Sequence, residues 1–280
     1  MRLLDHLRAP APLLSVELRP PRSDLEQGMS MDSWMAMHRA FTRLAADDTV
    51  LFLTDNAVGA REEENLHHLV SNLDAETPRD RICPFLTTKH TLEYCLWYAD
   101  RAVEQGHTAL TVLGGDVSVG PPRCVAHAAE LRRLIRGRHP DLALGGWANP
   151  YRDPRAQAGY LVAPGAAADF YLTQIVSHHE LRPVERFVKE ARAGGLALPA
   201  LFGVFYYRSA NPATLKTLSN FMRVPAEELT RDFTERNLSA DAICARTVRA
   251  LRDLGVDRVY LSNLRPDDAP ERLAAIRSLV

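Results

Sequence analysis

Short apolar runs alternate with amphipathic stretches along the whole chain. The run at 13–18 is followed by a stretch at 33–44 in which Trp34, Met37 and Phe41 share one helical face. Apolar runs of this length without strict polar alternation are typical of strands that are buried on both faces. Seven further runs of this kind are found at 50–53, 82–86, 109–113, 142–146, 169–174, 199–204 and 258–262.

Helical periodicity fills the intervals between these runs. The further predicted helices are 62–73, 91–105, 123–136, 181–193, 211–222, 240–254 and 270–279. Eight strand-then-helix units in a chain of this length predict an α/β fold, a single-domain (β/α)8 TIM barrel over 1–280. We expect a lead helix before the first strand and an insertion near 223–236. The alternative is an open doubly wound sheet, but the first turn lacks its G-x-G-x-x-G phosphate loop.

Composition narrows the function classes. A hydrophobic content of 46% supplies one large core, and a net charge of −1 gives no electrostatic footprint for nucleic acid or a membrane surface. The four cysteines lack C-x-x-C spacing, which argues against a zinc site or a disulfide framework and fits a reducing cytoplasm. No segment approaches the roughly 20 apolar residues of a membrane span. We therefore expect a soluble cytoplasmic protein with a small-molecule substrate.

Polar residues stand where the predicted strands end. Five such residues belong to five different strands. Glu17 lies on the first, Thr54, Asp116 and Gln174 end the second, fourth and sixth, and Arg265 follows the eighth. The carboxyl ends of barrel strands meet on one rim, which is where barrel enzymes carry out their chemistry. These five side chains are therefore predicted to share one mouth.

The two carboxylates on this rim have different expected roles. Glu17 lies inside an apolar strand, where burial should raise its pKa and make it a candidate general acid. The alternative is an ion pair with Arg19 or another basic group. Asp116 follows Gly114-Gly115, a pair that permits a tight turn or a close approach to a ligand. The alternative for Asp116 is a turn or capping aspartate.

Two other clusters carry weaker signals. His178-His179-Glu180 could suggest a metal, but adjacent histidines rarely converge on one ion, so we predict no metal site. His67-His68 is predicted to be solvated on its helix. The aromatic loop that contains Tyr206 could stack on a flat ligand, or it could bury its own rings.

Several segments resemble the motifs of one family in their order and spacing. They are V-E-L-R-P-P at 16–21, P-F-L-T at 84–87, L-G-G-D at 113–116, D-F-Y-L-T-Q at 169–174, the glycine at 203, R-V-P at 223–225 and the segment 255–265. Together they resemble methylenetetrahydrofolate reductase, a (β/α)8 enzyme of one-carbon metabolism, along most of the chain.

The resemblance implies reduction of 5,10-methylenetetrahydrofolate to 5-methyltetrahydrofolate by NADH or NADPH, in the family by way of bound FAD. Glu17 matches the acid that opens the imidazolidine ring, and Asp116 matches a carboxylate beside the pterin and flavin. Gln174 matches the amide that binds the pterin edge. Arg265 matches a basic group near the folate tail, and Thr54 matches a threonine that contacts flavin.

The flavin side of the chain departs from the family pattern. Phe85 replaces a histidine and Gly114 replaces an arginine, while Gly115 is retained. Asn149 and Asp153 stand where the family has a tyrosine and a histidine. Gly115, Asn149 and Asp153 remain the predicted cofactor-binding positions besides Thr54.

The segment before the sixth strand, 158–166, carries no charge, whereas the family places ribose- and phosphate-binding groups there. An unpaired pyrophosphate in a closed site is costly. Arg152 or Arg155 could compensate, as could backbone amides at a helix N-terminus. We therefore predict weak or absent FAD binding and hydride transfer directly from the nicotinamide.

The sequence is also compatible with other functions. The chain could be a non-catalytic folate-binding barrel or an accessory subunit that receives electrons from a partner reductase. It could also be a barrel enzyme for another one-carbon carrier or a phosphorylated sugar, although no glycine-rich phosphate loop follows strands seven and eight. A homo-oligomer is compatible with each of these functions.

Overall fold

The computed structural model describes residues 2–55, 77–115 and 120–280. Its strands form a closed parallel barrel in which each strand pairs with its neighbour in chain order and the last pairs with the first. The strands are β1 Leu13–Leu18, β2 Leu51–Leu53, β3 Ile82–Thr87, β4 Ala109–Leu113, β5 Ala143–Ala148, β6 Phe170–Val176, β7 Ala200–Phe205 and β8 Arg258–Ser262. This confirms the predicted (β/α)8 barrel.

Helices cover the outer face of the barrel, and some also pack at its ends. In the described ranges they are α1 Leu3–Arg8, α2 Gln27–Ala46, α3 Leu92–Glu104, α4 Ala128–Arg138, α5 Pro154–Val162, α6 Leu181–Ala193, α7 Pro212–Leu218, α8 Ala226–Thr234, α9 Ala240–Asp253 and α10 Ala269–Ser278. Short 3₁₀ helices occur at Arg79–Arg81 and His178–Glu180. Among these described helices, none is both long enough and apolar enough to cross a membrane.

Strand β1 shows how the sequence sorts side chains between two layers. Leu14, Val16 and Leu18 pack outward in a core that includes side chains of α2, α6, α9 and α10. The alternate positions face the barrel interior, as strand geometry requires. Leu13 contacts the interior core, and Glu17 stands at the carboxyl end of the same row. The pleat thus places Glu17 in the mouth.

The barrel interior is filled by rings where glycines leave them space. Tyr260 is 1% exposed, and its hydroxyl donates a hydrogen bond to the Thr173 carbonyl oxygen on β6 at 2.5 Å. A Cβ at Gly203 would lie 2.6 Å from the Tyr260 Cζ atom and 3.0 Å from Ile175 Cδ1. Glycine at 203 therefore permits the ring that closes the barrel beneath its mouth.

Gly203→Ala should lower the free energy of unfolding by about 1–3 kcal/mol, because the added methyl forces Tyr260 or Ile175 out of a close-packed position. Gly28→Ala is the matched control, since its Cβ would have no heavy atom within 4 Å. Urea unfolding of both variants measures the difference. A Gly203→Ala midpoint equal to that of Gly28→Ala would contradict this packing argument.

Several predicted elements differ from the structure or lie outside it. The helix predicted at 33–44 begins at Gln27, and the helix predicted at 211–222 ends at Leu218. The helix predicted at 123–136 begins only at Ala128, because the Cys124 amide instead donates to the Thr88 carbonyl oxygen at 2.8 Å. Strand β6 continues to Val176, two residues beyond its predicted end. The helix predicted at 62–73, with His67-His68, lies outside the described residues.

The segment that we predicted as an insertion, 223–236, contains α8. Leu229 is fully buried in a small core with Tyr207, Leu215 and Ile243. This segment therefore packs above the β7 end of the barrel.

Candidate functional site

Glu17 lies half-buried in the barrel mouth at the carboxyl end of β1. The Ser262 hydroxyl, at the end of the adjacent β8, donates a hydrogen bond to Glu17 Oε1 at 2.8 Å. The predicted acid is thus oriented by a hydroxyl from the neighbouring strand. Sequence reasoning missed Ser262, because a predicted barrel pairs its first and last strands without giving the register that brings Ser262 to Glu17.

Tyr260 forms the floor under this carboxylate. Burial raises the pKa of the Tyr260 phenol well above its usual range, and the nearby negative charge of Glu17 raises it further. The phenol therefore stays protonated and keeps donating to Thr173 on β6. The Tyr260 side chain of β8 thereby lies near Glu17 and is also hydrogen-bonded to β6, the strand that carries Gln174.

Gln174 lies at an irregularity of the barrel. The pairing of β6 with β7 shifts register between Leu172 and Ile175, and the Gly203 amide donates to the Thr173 hydroxyl at 3.2 Å. The Gln174 Oε1 atom accepts a hydrogen bond from the Ile175 amide at 3.0 Å. Such irregularities re-aim side chains beside active sites. The side-chain NH2 of Gln174 is the group that this arrangement leaves to donate to a ligand.

Two arginines come together on the rim after β7 and β8. Arg208 donates from Nη2 to the Asn263 carbonyl oxygen at 2.6 Å, and Asn263 Nδ2 donates to the Tyr206 carbonyl oxygen at 2.9 Å. Desolvation lowers the pKa of Arg208, and the positive charge of Arg265 lowers it further. The pair forms a cationic patch of the kind that binds carboxylates. The negative charge of Asp268, which also acts on Arg208, partly offsets the positive charge of the patch. Sequence reasoning selected Arg265 but assigned Arg208 no such role, because only the closed barrel brings the two loops together.

Thr54, the predicted flavin contact, is 1% exposed, and its amide donates to the Leu18 carbonyl oxygen at 3.1 Å. The adjacent Asp55 makes the stronger network. Its Oδ2 atom accepts hydrogen bonds from the Thr87 amide at 2.8 Å and the Thr87 hydroxyl at 3.0 Å, and it lies 2.8 Å from His90 Nε2. A titratable pair that sequence reasoning passed over thus joins the ends of β2 and β3.

Gly115 adopts the backbone conformation that its position after β4 suggested, with φ at +68°. A Cβ there would lie 2.7 Å from Lys89 Cγ. The Arg123 guanidinium donates to the Gly115 carbonyl oxygen at 2.6 Å and lies 3.0 Å from where a Cβ at Gly114 would be. The Arg123 side chain therefore fills the space that a side chain at position 114 would need. Asp116, the predicted second carboxylate, lies outside the described residues.

Asn149 and Asp153 have local structural roles. Asn149 Oδ1 accepts a hydrogen bond from the Tyr151 amide at 3.0 Å, which forms an Asx turn. Asp153 Oδ1 accepts from the Ala156 amide at 2.7 Å and caps the N-terminus of α5. Contact of either residue with a cofactor stays a prediction.

The predicted substrate contact Tyr206 faces the outer helices. It is 5% exposed, and its hydroxyl donates to Asp241 Oδ1 on α9 at 2.8 Å. A substrate would therefore have little of this ring to contact. The neighbouring Phe205 and Tyr207 rings lie 4.9 Å apart, and Tyr207 is also buried. The loop thus buries its aromatic side chains, which was the alternative interpretation of this segment.

Two features of the described residues bear on the phosphate groups of FAD, whose binding stays a prediction. The uncharged segment 158–166 includes most of α5. Arg155, a possible substitute, is 81% exposed at the side chain and pairs with Glu190 of α6 at 2.8 Å. Its guanidinium thus bridges two outer helices. We derive no step through a flavin.

A second concavity, of about 320 Å³, lies at the opposite end of the barrel. Leu7, Pro199 and Asp257 are among the residues that line it, near α1 and the amino ends of β7 and β8. In barrel enzymes this end serves stability, whereas chemistry is found at the carboxyl ends of the strands. The candidate site is therefore the rim around Glu17.

Comparison with known proteins gives a likeness in fold. No family model and no curated protein sequence matches the chain. A protein from Clostridium thermocellum that binds two copies of 5-methyl-5,6,7,8-tetrahydrofolic acid has a similar structure, with a TM-score of 0.69, 14% identity and 96% of this chain and 95% of that chain covered. Tryptophan synthase from M. tuberculosis, in its aminoacrylate-bound form, is similar with a TM-score of 0.52, 12% identity and 100% and 96% covered.

Proposed function

We propose that this protein binds a reduced folate in the barrel mouth and reduces 5,10-methylenetetrahydrofolate to 5-methyltetrahydrofolate with NADH or NADPH. The observation that carries the proposal is Glu17, a carboxyl group held in the mouth by the Ser262 hydroxyl. The folate-binding protein of similar fold and the motifs along the chain support the same ligand class.

Glu17 acts as the general acid in this proposal. In its protonated form it gives its proton to N10 of the folate, the N10–methylene bond breaks, and the one-carbon unit remains on N5 as an iminium. The nicotinamide then transfers a hydride to that carbon, which yields the N5-methyl group and the oxidised nicotinamide. A positioned acid contributes typically 10²–10⁴-fold to such a step.

The remaining rim residues orient the substrate. The Gln174 amide donates to the pterin edge, and the Arg208–Arg265 patch binds the glutamate carboxylates of the folate tail. Asp116 is the proposed second carboxylate, which stabilises positive charge on the iminium. The tail and the pterin thus contact loops of β7 and β8 on one side and β6 on the other.

The proposed reaction uses no tightly bound flavin. The uncharged segment 158–166 and the pairing of Arg155 with Glu190 support this part of the proposal. The purified protein should oxidise NADH or NADPH when methylenetetrahydrofolate is added and should show no flavin absorbance. A protein that purifies with stoichiometric FAD, or that turns over only after FAD is added, would contradict direct hydride transfer.

A second candidate function is a folate-binding barrel that does not oxidise a nicotinamide by itself. The binding of 5-methyltetrahydrofolate by a protein of similar fold favours this candidate. Calorimetric titration with 5-methyltetrahydrofolate, run beside the nicotinamide assay, distinguishes the two. Binding without turnover selects the accessory role, and the absence of both overturns the folate assignment.

A further inference from the structure

His178, His179 and Asp232 place three ligand atoms together outside the barrel mouth. The two histidines form the 3₁₀ helix that follows β6, and Asp232 lies on α8. The His178 and His179 Nε2 atoms lie 3.7 and 3.1 Å from Asp232 Oδ2. All three atoms lie within 4.8 Å of one another. The adjacent histidines, which we expected not to converge, do converge here.

These three atoms are buried, and none of them has a hydrogen-bond partner. Asp232 is 0% exposed, and the side chains of His178 and His179 are 16% and 8% exposed. At 3.1 Å, His179 Nε2 is close enough to form an ion pair with the carboxylate when the ring is protonated, although the angles of a hydrogen bond are not met. Buried polar atoms are nearly always satisfied, so three that face one point without bonding each other indicate a missing ligand between them.

Thr247 fixes the orientation of one ring. His178 Nδ1 lies 2.8 Å from the Thr247 Oγ1 atom, and that hydroxyl donates to the Ile243 carbonyl oxygen at 3.5 Å. Metal binding at Nε2 requires the tautomer in which Nδ1–H of His178 donates to this hydroxyl. The lone pair of His178 Nε2 then faces the carboxylate oxygen. A histidine whose second nitrogen donates to a neighbouring group is typical of metal ligation.

We propose that His178, His179 and Asp232 bind a divalent cation of the zinc class. Imidazole and carboxylate ligands suit such ions, and metal–ligand bonds of 2.0–2.2 Å place tetrahedral ligand atoms about 3.4 Å apart. The observed 3.1 and 3.7 Å bracket this value. Three protein ligands leave a fourth position for water.

Two arginines beside the site act on the other oxygen of the carboxylate. Arg236 Nη1 donates to Asp232 Oδ1 at 2.6 Å, and Arg246 Nη1 lies 3.6 Å from the same atom. Their side chains are 55% and 39% exposed, so solvent screens much of their charge. They orient Asp232 so that Oδ2 faces the histidines, and they weaken the affinity for a cation without blocking its position.

The bound ion would act as a clamp. It would join the segment after β6 to α8. Leu229 and Phe233, also on α8, belong to the small core above β7. The proposal is independent of the folate chemistry, because none of the three ligands belongs to the rim set around Glu17.

Titration of the metal-free protein with Co²⁺ tests the proposal. We expect a saturable visible d–d band at one equivalent per chain, which Zn²⁺ displaces. Zn²⁺ at 100 times its dissociation constant should also raise the melting temperature by about 5 °C. A native protein that gives no saturable band overturns the proposal, whether or not any variant folds.

Substitutions locate the site. His179→Gln and Asp232→Asn should each abolish the stoichiometric band, and Thr247→Val should weaken binding while leaving one equivalent at saturation. His139→Gln is the matched control, because His139 Nε2 lies 2.6 Å from Asp100 Oδ1 in a pair with no second histidine. A band that persists in folded His179→Gln and Asp232→Asn proteins places the metal elsewhere and overturns the assignment.

Discussion

Glu17→Gln is expected to lower the turnover of methylenetetrahydrofolate by about 10²–10⁴-fold and to change the affinity for 5-methyltetrahydrofolate only a few-fold. The amide keeps the size of the side chain and still accepts the hydrogen bond from Ser262. It has no acidic proton to give to N10, so ring opening loses its acid. Steady-state oxidation of the nicotinamide and calorimetry with the product measure the two quantities separately.

Glu185→Gln on α6 is the control for this substitution, because it makes the same chemical change at an exposed position. It should keep native turnover. If Glu17→Gln also retains native turnover, the acid is another group and the mechanism proposed for the mouth is wrong. If turnover and product affinity are lost together, Glu17 serves binding rather than proton transfer.

Removal of the cationic patch is expected to have the second-largest effect. Arg208→Ala and Arg265→Ala should each raise the KM for the folate substrate by about 10-fold and leave kcat nearly unchanged. A charge-assisted hydrogen bond contributes roughly 1.5–3 kcal/mol, and exposure on the rim reduces that contribution. The double variant should lose most of the dependence of KM on salt concentration.

Arg186→Ala on α6 removes the same charge from an exposed position away from the rim and is the control. Comparison with a folate that lacks the glutamate tail sharpens the test, since KM for that substrate should not respond to either rim substitution. Equal effects on both substrates would show that the patch contacts another part of the ligand.

The sequence was sufficient to predict the barrel, because the pattern that indicates each strand is local and recurs eight times. Each buried strand is a short apolar run between turn residues. A run such as 109–113 indicates a strand without any knowledge of the tertiary structure. It also placed Glu17 near the carboxyl end of β1, because strand periodicity is a property of the chain itself. For β6 it predicted an end at Gln174, whereas the strand runs two residues further.

Contacts between segments that are distant in the chain could not be predicted from the sequence. Nothing local predicts that Ser262 donates to Glu17, that Arg123 occupies the space beside Gly114, or that Arg208 lies near Arg265. Tyr206 was misleading for the same reason, since an aromatic residue after a strand suits a ligand and an outer core equally well. Only the path of the loop turned its hydroxyl to Asp241.

The amino-acid sequence by itself determined that eight parallel strands place their polar ends on one rim, because hydrophobic periodicity is fixed residue by residue. The tertiary structure decided which of those groups meet. The ligand atoms of His178 and His179 converge only because α8 carries a buried carboxylate to them from over 50 residues away in the chain. Closure of the barrel and packing of its helices determine the distances between these ligand atoms, and no local sequence pattern predicts them.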